Sequence, residues 1–291
     1  MELIKSFQAH NNYVIDVLFT PDGSNLISSG MDAKIKFWDA KSWDSIKVLE
    51  EHKKSVNCLS ISDEGNILAT ASTDLTTQIW DLTEETLLGI LKKHKKTVSA
   101  VKISPNSRYV ATGSYDGTVI VWDLKSFKEI ITIKVLERNI SSIDFSSDSK
   151  SLFTAGFDES LLLWEIPTGK LIKNLPGFKT VITAIEISPN LKFIAVSDLL
   201  TIKILELENL TQIQEISLKE GYSHNISIAP DSKTIAITSD HNIHIFDVLK
   251  AELVEKMDLK PKGIYGIAYS PDGNLLASGS ADKKIRVWAI K

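Results

Sequence analysis

Residues 94–123 read HKKTVSAVKISPNSRYVATGSYDGTVIVWD, and this stretch decides the fold. Two short runs in it, 109–113 and 118–122, alternate in the period of two that belongs to β-strands. Ser104-Pro105-Asn106-Ser107 ahead of them is turn chemistry, because proline presets φ and Asn or Gly tolerates a positive one. The ending Val121-Trp122-Asp123 recurs at Phe37-Trp38-Asp39, Ile79-Trp80-Asp81 and Leu163-Trp164-Glu165. Weaker copies end at Leu205-Glu206 and Phe246-Asp247, and a strong one closes the chain at Val287-Trp288. The anchors 38, 80, 122, 164, 205, 246 and 288 are spaced by 42, 42, 42, 41, 41 and 42 residues. A second marker keeps phase about 17 residues upstream, from Thr20-Pro21-Asp22-Gly23 to Ser270-Pro271-Asp272-Gly273. Two markers in register seven times make an internal repeat.

Each repeat divides into four short strands, in the third at 98–103, 109–113, 118–122 and 129–134, with no convincing helical period. One four-stranded sheet of this size cannot bury both faces, whereas seven stacked radially can. The expected fold is therefore all-β: a seven-bladed β-propeller of four-stranded antiparallel blades, forming a single domain over residues 1–291. Too few residues follow Trp288 for an outer strand, and Glu2-Leu3-Ile4-Lys5-Ser6-Phe7 has strand composition. The N-terminal segment is expected to join the last blade and close the ring.

The set His94, Ser104-Pro105, Thr112-Gly113-Ser114-Tyr115-Asp116-Gly117 and Val121-Trp122-Asp123 resembles the WD-repeat (WD40) propeller family, and the resemblance covers the whole chain. It implies a buried network of His, Ser or Thr, Asp and Trp in each blade. Matched residue by residue, this gives His10, Ser28, Asp32 and Trp38 in the first repeat, His52, Thr70, Asp74 and Trp80 in the second, and His94, Thr112, Asp116 and Trp122 in the third. The fourth keeps Thr154, Asp158 and Trp164 with Leu136 at the His position. The last keeps Ser278, Asp282 and Trp288 with Lys260 there, and the fifth and sixth replace the Trp by Leu205 and Phe246. The first three blades are expected to be the most rigid and the fifth and sixth the least.

The same residues do not read as chemistry. A catalytic triad needs an exposed nucleophile and an oxyanion site, and a metal needs ligands converging on one point; a set repeated from blade to blade offers neither. His241 and His244 are a poor ligand pair, being three apart on a strand. No phosphate loop, paired carboxylates or nucleophile elbow is present. No catalytic, cofactor or metal residue is assigned, and the chain is read as non-enzymatic with no cofactor. The lone Cys58, on an inner strand, makes no internal disulfide, and no secretory signal or membrane-spanning run is visible. A cytoplasmic protein is expected, or a nuclear one in a eukaryote. The 33 basic and 37 acidic residues, net charge −4, argue against bulk nucleic-acid binding.

Function is then expected on loop surfaces. In similar propellers the loops before the inner strands frequently bind peptides or proteins. Here that face carries Tyr13, Tyr222, His224 and Tyr265 near those loops and Tyr115 and Phe157 just before the turn aspartates, side chains of the kind that anchor interfaces; packing against neighbouring blades is their bland alternative. Lys53, Lys54, Lys92, Lys93, Lys95 and Lys96 form a basic arc, either a solvated edge or a dock for an acidic or phosphorylated segment. The expected function is a protein-interaction scaffold, monomeric within a hetero-complex, that presents a propeller face to a peptide or partner protein. Its alternatives are an enzyme or small-ligand propeller with a channel site, and a structural subunit using its edge.

Overall fold

The computed structural model describes residues 1–135, 139–259 and 263–290. Leu136 and Lys260, at two of the histidine positions, lie outside the described residues. Seven four-stranded antiparallel sheets follow one another along the chain. Six consist of four successive strands. The seventh runs from Ile264–Tyr269 through Leu275–Ser280 and Lys284–Ala289 to the N-terminal strand Glu2–Gln8, which pairs Phe7 with Ile285 and Leu3 with Trp288. This is the all-β, seven-bladed propeller that the repeats predict, with the N-terminal strand joined to the last blade. In the third sheet the strands are Val98–Ile103, Tyr109–Ser114, Thr118–Asp123 and Glu129–Lys134, within one residue of the expected bounds.

Two compact units carry these sheets. One, Met1–Glu51 with Thr183–Lys291, holds sheets one, five, six and seven. There Val14, Phe19, Leu26 and Trp38 pack with Ala277, Ile285 and Val287, and Ile202 and Ile204 with Ile226, Ile235 and Phe246. The other, His52–Ile182, holds sheets two, three and four, with Val98, Val101 and Ile120 packed on Ala69 and Ile79, and Ile140 and Ile143 on Val119 and Val121. In sheet three both faces of the second and third strands are thus covered, while the outer strand is mostly open to solvent. Each such apolar side chain stabilises by about 1.5–3 kcal/mol relative to leaving it exposed. Close approach needs Gly279, where a Cβ would stand 2.4 Å from Val14 Cγ1.

The Ser-Pro marker is a turn held by its own side chains. Ser104 Oγ donates to Asn106 Oδ1 at 2.8 Å and accepts from the Tyr109 amide at 2.9 Å. Thr20 Oγ1 likewise donates to Asp22 at 2.6 Å. The fourth residue of the marker has positive φ throughout, from Gly23 (70°) and Ser107 (52°) to Leu191 (57°) and Gly273 (73°). That backbone requirement explains why glycine or a small residue fills most copies.

The two 41-residue steps also find their cause. In sheet one Ser29 faces Ile35 across a turn over residues 30–34. In sheets five and six Ser197 faces Ile202 and Thr238 faces Ile243, so the turns shorten to 198–201 and 239–242. Each degenerate repeat has lost one residue at this point. The register then sets Val196 opposite Lys203 and Ile237 opposite His244, where sheet one sets Ser28 opposite Lys36. A branched aliphatic has replaced the network hydroxyl.

Candidate functional site

The histidines of the first three repeats are committed to the fold. In sheet one His10 Nδ1 meets Asp32 Oδ1 and Nε2 meets Ser28 Oγ, both at 2.8 Å, while the Trp38 indole donates to the same hydroxyl at 2.9 Å. Sheet three repeats this, with His94 to Asp116 at 3.1 Å and to Thr112 at 2.8 Å, and Trp122 to Thr112 at 3.0 Å. Burial works to raise the Asp32 and Asp116 carboxyls but is outweighed, at Asp32 chiefly by the His10 bond and at Asp116 by the Thr118 hydroxyl and Lys95 amide; both pKa values fall below the usual range. Burial pushes the His94 imidazole down, against the pull of Asp116. In sheet two His52 meets Asp74 and Thr70 at 2.8 Å, but the buried Trp80 Nε1 has no hydrogen-bond partner. Gln78 is buried on the same strand face, with its Oε1 also unpartnered.

Sheets four and seven keep parts of the set. Trp164 donates to Thr154 Oγ1 at 2.8 Å. In sheet seven Ser278 Oγ has no partner, and Asp282 is held instead by Arg286, a guanidinium–carboxylate pair, and by the Ser280 hydroxyl. Arg286 stands two residues before Trp288, where sheet one has Lys36. The family pattern does not mark this position, so sequence reasoning passed over it.

The loops separate by unit. In the first unit Tyr13 and Tyr265 stack at 6.1 Å and 25°, and the His224 ring leans on Tyr265 at 5.6 Å. His224 Nε2 meets Asp240 Oδ1 at 3.1 Å. These side chains, with His241, Gly263, Ala281 and Asp282, line a pocket of about 520 Å3. Gly263 is its hinge pin: its amide donates to Asp240 O at 2.6 Å and its carbonyl accepts from Ala281 at 2.8 Å. With φ at +77° and the Tyr265 hydroxyl 2.6 Å from where a Cβ would stand, no other residue fits there without displacing the ring. Burial, with the nearby Tyr13 and Asp240 charges, raises the Tyr265 phenol above its ordinary pKa. Tyr222 is 53% exposed two residues before His224 and outside the pocket lining. Asp240, His241 and Asp282 join a site that the sequence marked only by its aromatics.

In the second unit Tyr115 and Phe157 meet at 6.4 Å, each exposed at the ring, with amides anchored on Thr97 O and Asn139 O at 3.0 Å. The residues at the position of His224 and Tyr265 serve the packing here. Asn57 donates to Val98 O at 2.9 Å, Ser99 to Ile140 O at 2.6 Å and Ser141 to Ile182 O at 2.5 Å, each one repeat along the chain. The basic side chains Lys53, Lys54, Lys92, Lys93, Lys95 and Lys96 are exposed, and Lys93 pairs with Glu129. The Lys53 and Lys95 amides cap Asp74 and Asp116 at 3.0 and 2.8 Å. Cys58 is half-buried beside the packed residues of sheets two and three. His241 and His244 line different pockets. Among the described residues, no three His, Cys, Asp or Glu side chains are grouped to hold a metal ion, and no helix is long and apolar enough to cross a membrane.

The sequence model of the WD40 family, described as "WD domain, G-beta repeat", matches residues 1–39, 43–81, 85–123, 130–165 and 255–289, well over half of the chain. The chain belongs to the WD40 family. The matched segments leave out residues 166–254, where the shortened turns of sheets five and six lie. Two curated relatives match over about one repeat each. A "Transcriptional repressor rco-1" of Neurospora crassa is 36% identical over 53 residues, 18% of this chain and 9% of its own. An "Uncharacterized WD repeat-containing protein L84" of Acanthamoeba polyphaga mimivirus is 35% identical over 49 residues, 17% of this chain and 37% of its own. The chain thus spans well under half the length of either.

Proposed function

We propose that this WD40 propeller is a non-enzymatic interaction module that docks a peptide segment of a partner protein at the loop cluster of Tyr13, Tyr222, His224 and Tyr265. The observation that carries this reading is the pocket of about 520 Å3 lined by the stacked Tyr13 and Tyr265 together with the Asp240 carboxylate. Large rigid aromatics with polar neighbours suit the centre of a protein interface. The side chains at the corresponding places in sheets two to four are engaged by backbone carbonyls and are poorer anchors. The basic loops of the second unit form a secondary, screened attraction for an acidic or phosphorylated stretch. The transcriptional-repressor relative supports the repeat rather than the role, since the likeness covers so little of that protein. A reducing intracellular compartment, cytoplasmic or nuclear, fits the single half-buried cysteine.

Affinity capture from native lysate, comparing wild type with Tyr13→Ala/Tyr222→Ala/Tyr265→Ala after both are shown to fold, tests the reading. A protein captured by wild type and by Tyr115→Ala/Phe157→Ala, yet lost by the triple variant, is the expected outcome. Equal capture by wild type and both variants would move the site elsewhere.

A further inference from the structure

The outer edge of the second sheet differs from the other outer edges. Thr86–Lys92 is the last strand of that sheet and pairs on one side with Thr76–Asp81, Gly89 facing Ile79 and Lys92 facing Thr76. Its other side is a row of backbone N–H and C=O groups with no backbone partner among the described residues. Side chains alternate along it. Leu91 is buried against Val98 and Val101, and a Cβ on Gly89 would stand 2.9 Å from the Phe127 ring. Leu88 and Ile90 point the opposite way and are 41% and 40% exposed.

Outer edges are commonly guarded by a charge within the strand, which discourages pairing with another chain. Glu2–Gln8, Ser45–Leu49, Leu171–Leu175, Gln212–Ser217 and Leu253–Asp258 carry Lys5, Lys47, Lys173, Glu215 and Glu255 there. Glu129–Lys134 is charged only at its ends but keeps its isoleucines half-buried or buried. Thr86–Lys92 has no charge before Lys92 and shows two aliphatic side chains to solvent.

Its charges sit at the two ends and have opposite signs. Glu84 and Glu85 stand directly before the strand, Lys92 closes it and Lys93 follows, all four exposed. Reversed end for end, the strand is therefore its own complement. Antiparallel pairing about Gly89 sets Leu87 opposite Leu91, Leu88 opposite Ile90 and Glu85 opposite Lys93 of another copy. Lys93 also meets Glu129 of its own chain, and Lys92 beside it supplies a second positive charge. Other edges repel a reversed copy of themselves: Ser45–Leu49 lies between Asp44 and Glu50, and Leu253–Asp258 follows Glu252 and ends on an aspartate. Like charges set opposite each other across a strand pair are destabilising.

We propose that Thr86–Lys92 pairs antiparallel with the same strand of a second copy of this chain, giving a two-fold dimer joined edge to edge. Such a contact is isologous and closes on itself, so it yields a pair rather than a fibre. This departs from the monomer expected from the sequence and uses none of the residues of the tyrosine-lined pocket.

Sedimentation equilibrium of the full chain between about 1 and 500 μM tests the proposal. The average mass should rise from one chain towards two across that range, because a single strand pair is a small interface. Ile90→Lys, a surface change that places a charge on the edge, should raise the dissociation constant at least about tenfold. Charge reversal makes the test specific. Glu84→Lys/Glu85→Lys leaves both ends of the strand basic, and Lys92→Glu/Lys93→Glu leaves both acidic. Each variant alone should stay at the mass of one chain, and an equimolar mixture of the two should pair again, with melting curves confirming that each folds. The mass of one chain throughout for wild type, unchanged association of Ile90→Lys, a dimer as strong as wild type in either reversed variant alone, or a mixture that fails to pair would overturn the proposal.

Discussion

Sheets one and six lie in the same unit and share one strand order, yet hold their loops differently. In sheet one a hydroxyl, Ser28 Oγ, is bonded to both His10 and Trp38, and the preceding loop is fastened to the sheet. In sheet six the turn is one residue shorter, Ile237 fills the hydroxyl position and Phe246 that of the indole, and a pocket beside Phe246 and His244 is left over. In sheet one, where the repeat is intact, the His, Ser, Asp and Trp of the network are all used up by the fold. Where it has decayed, side chains such as His224 and His244 are released from that duty, and the candidate site includes residues of the decayed sixth repeat.

The largest expected effect comes from removing the strand that serves the seventh sheet directly and the first through one ring. Deleting residues 2–8 uncovers the pairing edge of Lys284–Ala289 and removes Phe7 from its place 4.8 Å from Trp38. A loss of more than roughly 3 kcal/mol is expected by denaturant unfolding; an unchanged midpoint would mean that the strand is dispensable. Next come paired substitutions at one structural position. Ser28→Ala leaves both His10 Nε2 and Trp38 Nε1 without their partner and should cost about 3 kcal/mol. Ile237→Thr, which restores a hydroxyl with Lys219 and Phe246 in the places of its histidine and indole partners, should destabilise by about 2 kcal/mol. If the threonine stabilised sheet six, its network would be latent rather than lost.

Acid sharpens the contrast more gently. Because the Asp32 carboxyl is depressed in the folded chain, the unfolded chain binds more protons as the solution acidifies. The stabilisation is complete above the ordinary carboxylate value and is lost as pH falls below about 4 through the folded pKa. Unfolding midpoints recorded between roughly pH 6 and pH 2.5 should decline less steeply for Asp32→Asn than for wild type. Parallel curves would show that Asp32 contributes no pH-dependent stability.

Strands, blade count and the closing strand were all legible in the sequence, because turn chemistry and the period of two are local and are repeated seven times. The two 41-residue steps announced two deletions but not their exact places, which the pairings of Ser197 with Ile202 and of Thr238 with Ile243 reveal. The candidate site was half legible. Its aromatics could be counted off by position, but Asn57, Ser99 and Ser141 looked equivalent to His224 and Tyr265 until their partners, 41 residues onward, were seen. A bond that spans a whole repeat leaves no local trace. Arg286 escaped notice, and His244 was weighed only as a metal ligand, for another reason: the position two before the tryptophan is Lys, Gln, Ile, Leu, Lys, His and Arg in turn, and no residue type recurs enough to mark it.

Hydrogen exchange read by mass spectrometry weighs sheet one against sheet six most directly, in a single chain and a single experiment. The amides of Asn25–Gly30, beneath the His10 network, should exchange at least about tenfold more slowly than those of Thr234–Thr238, as local opening tracks the bonds that must break. Equal protection of the two strands, or faster exchange in Asn25–Gly30, would contradict the claim that the network distinguishes the two sheets.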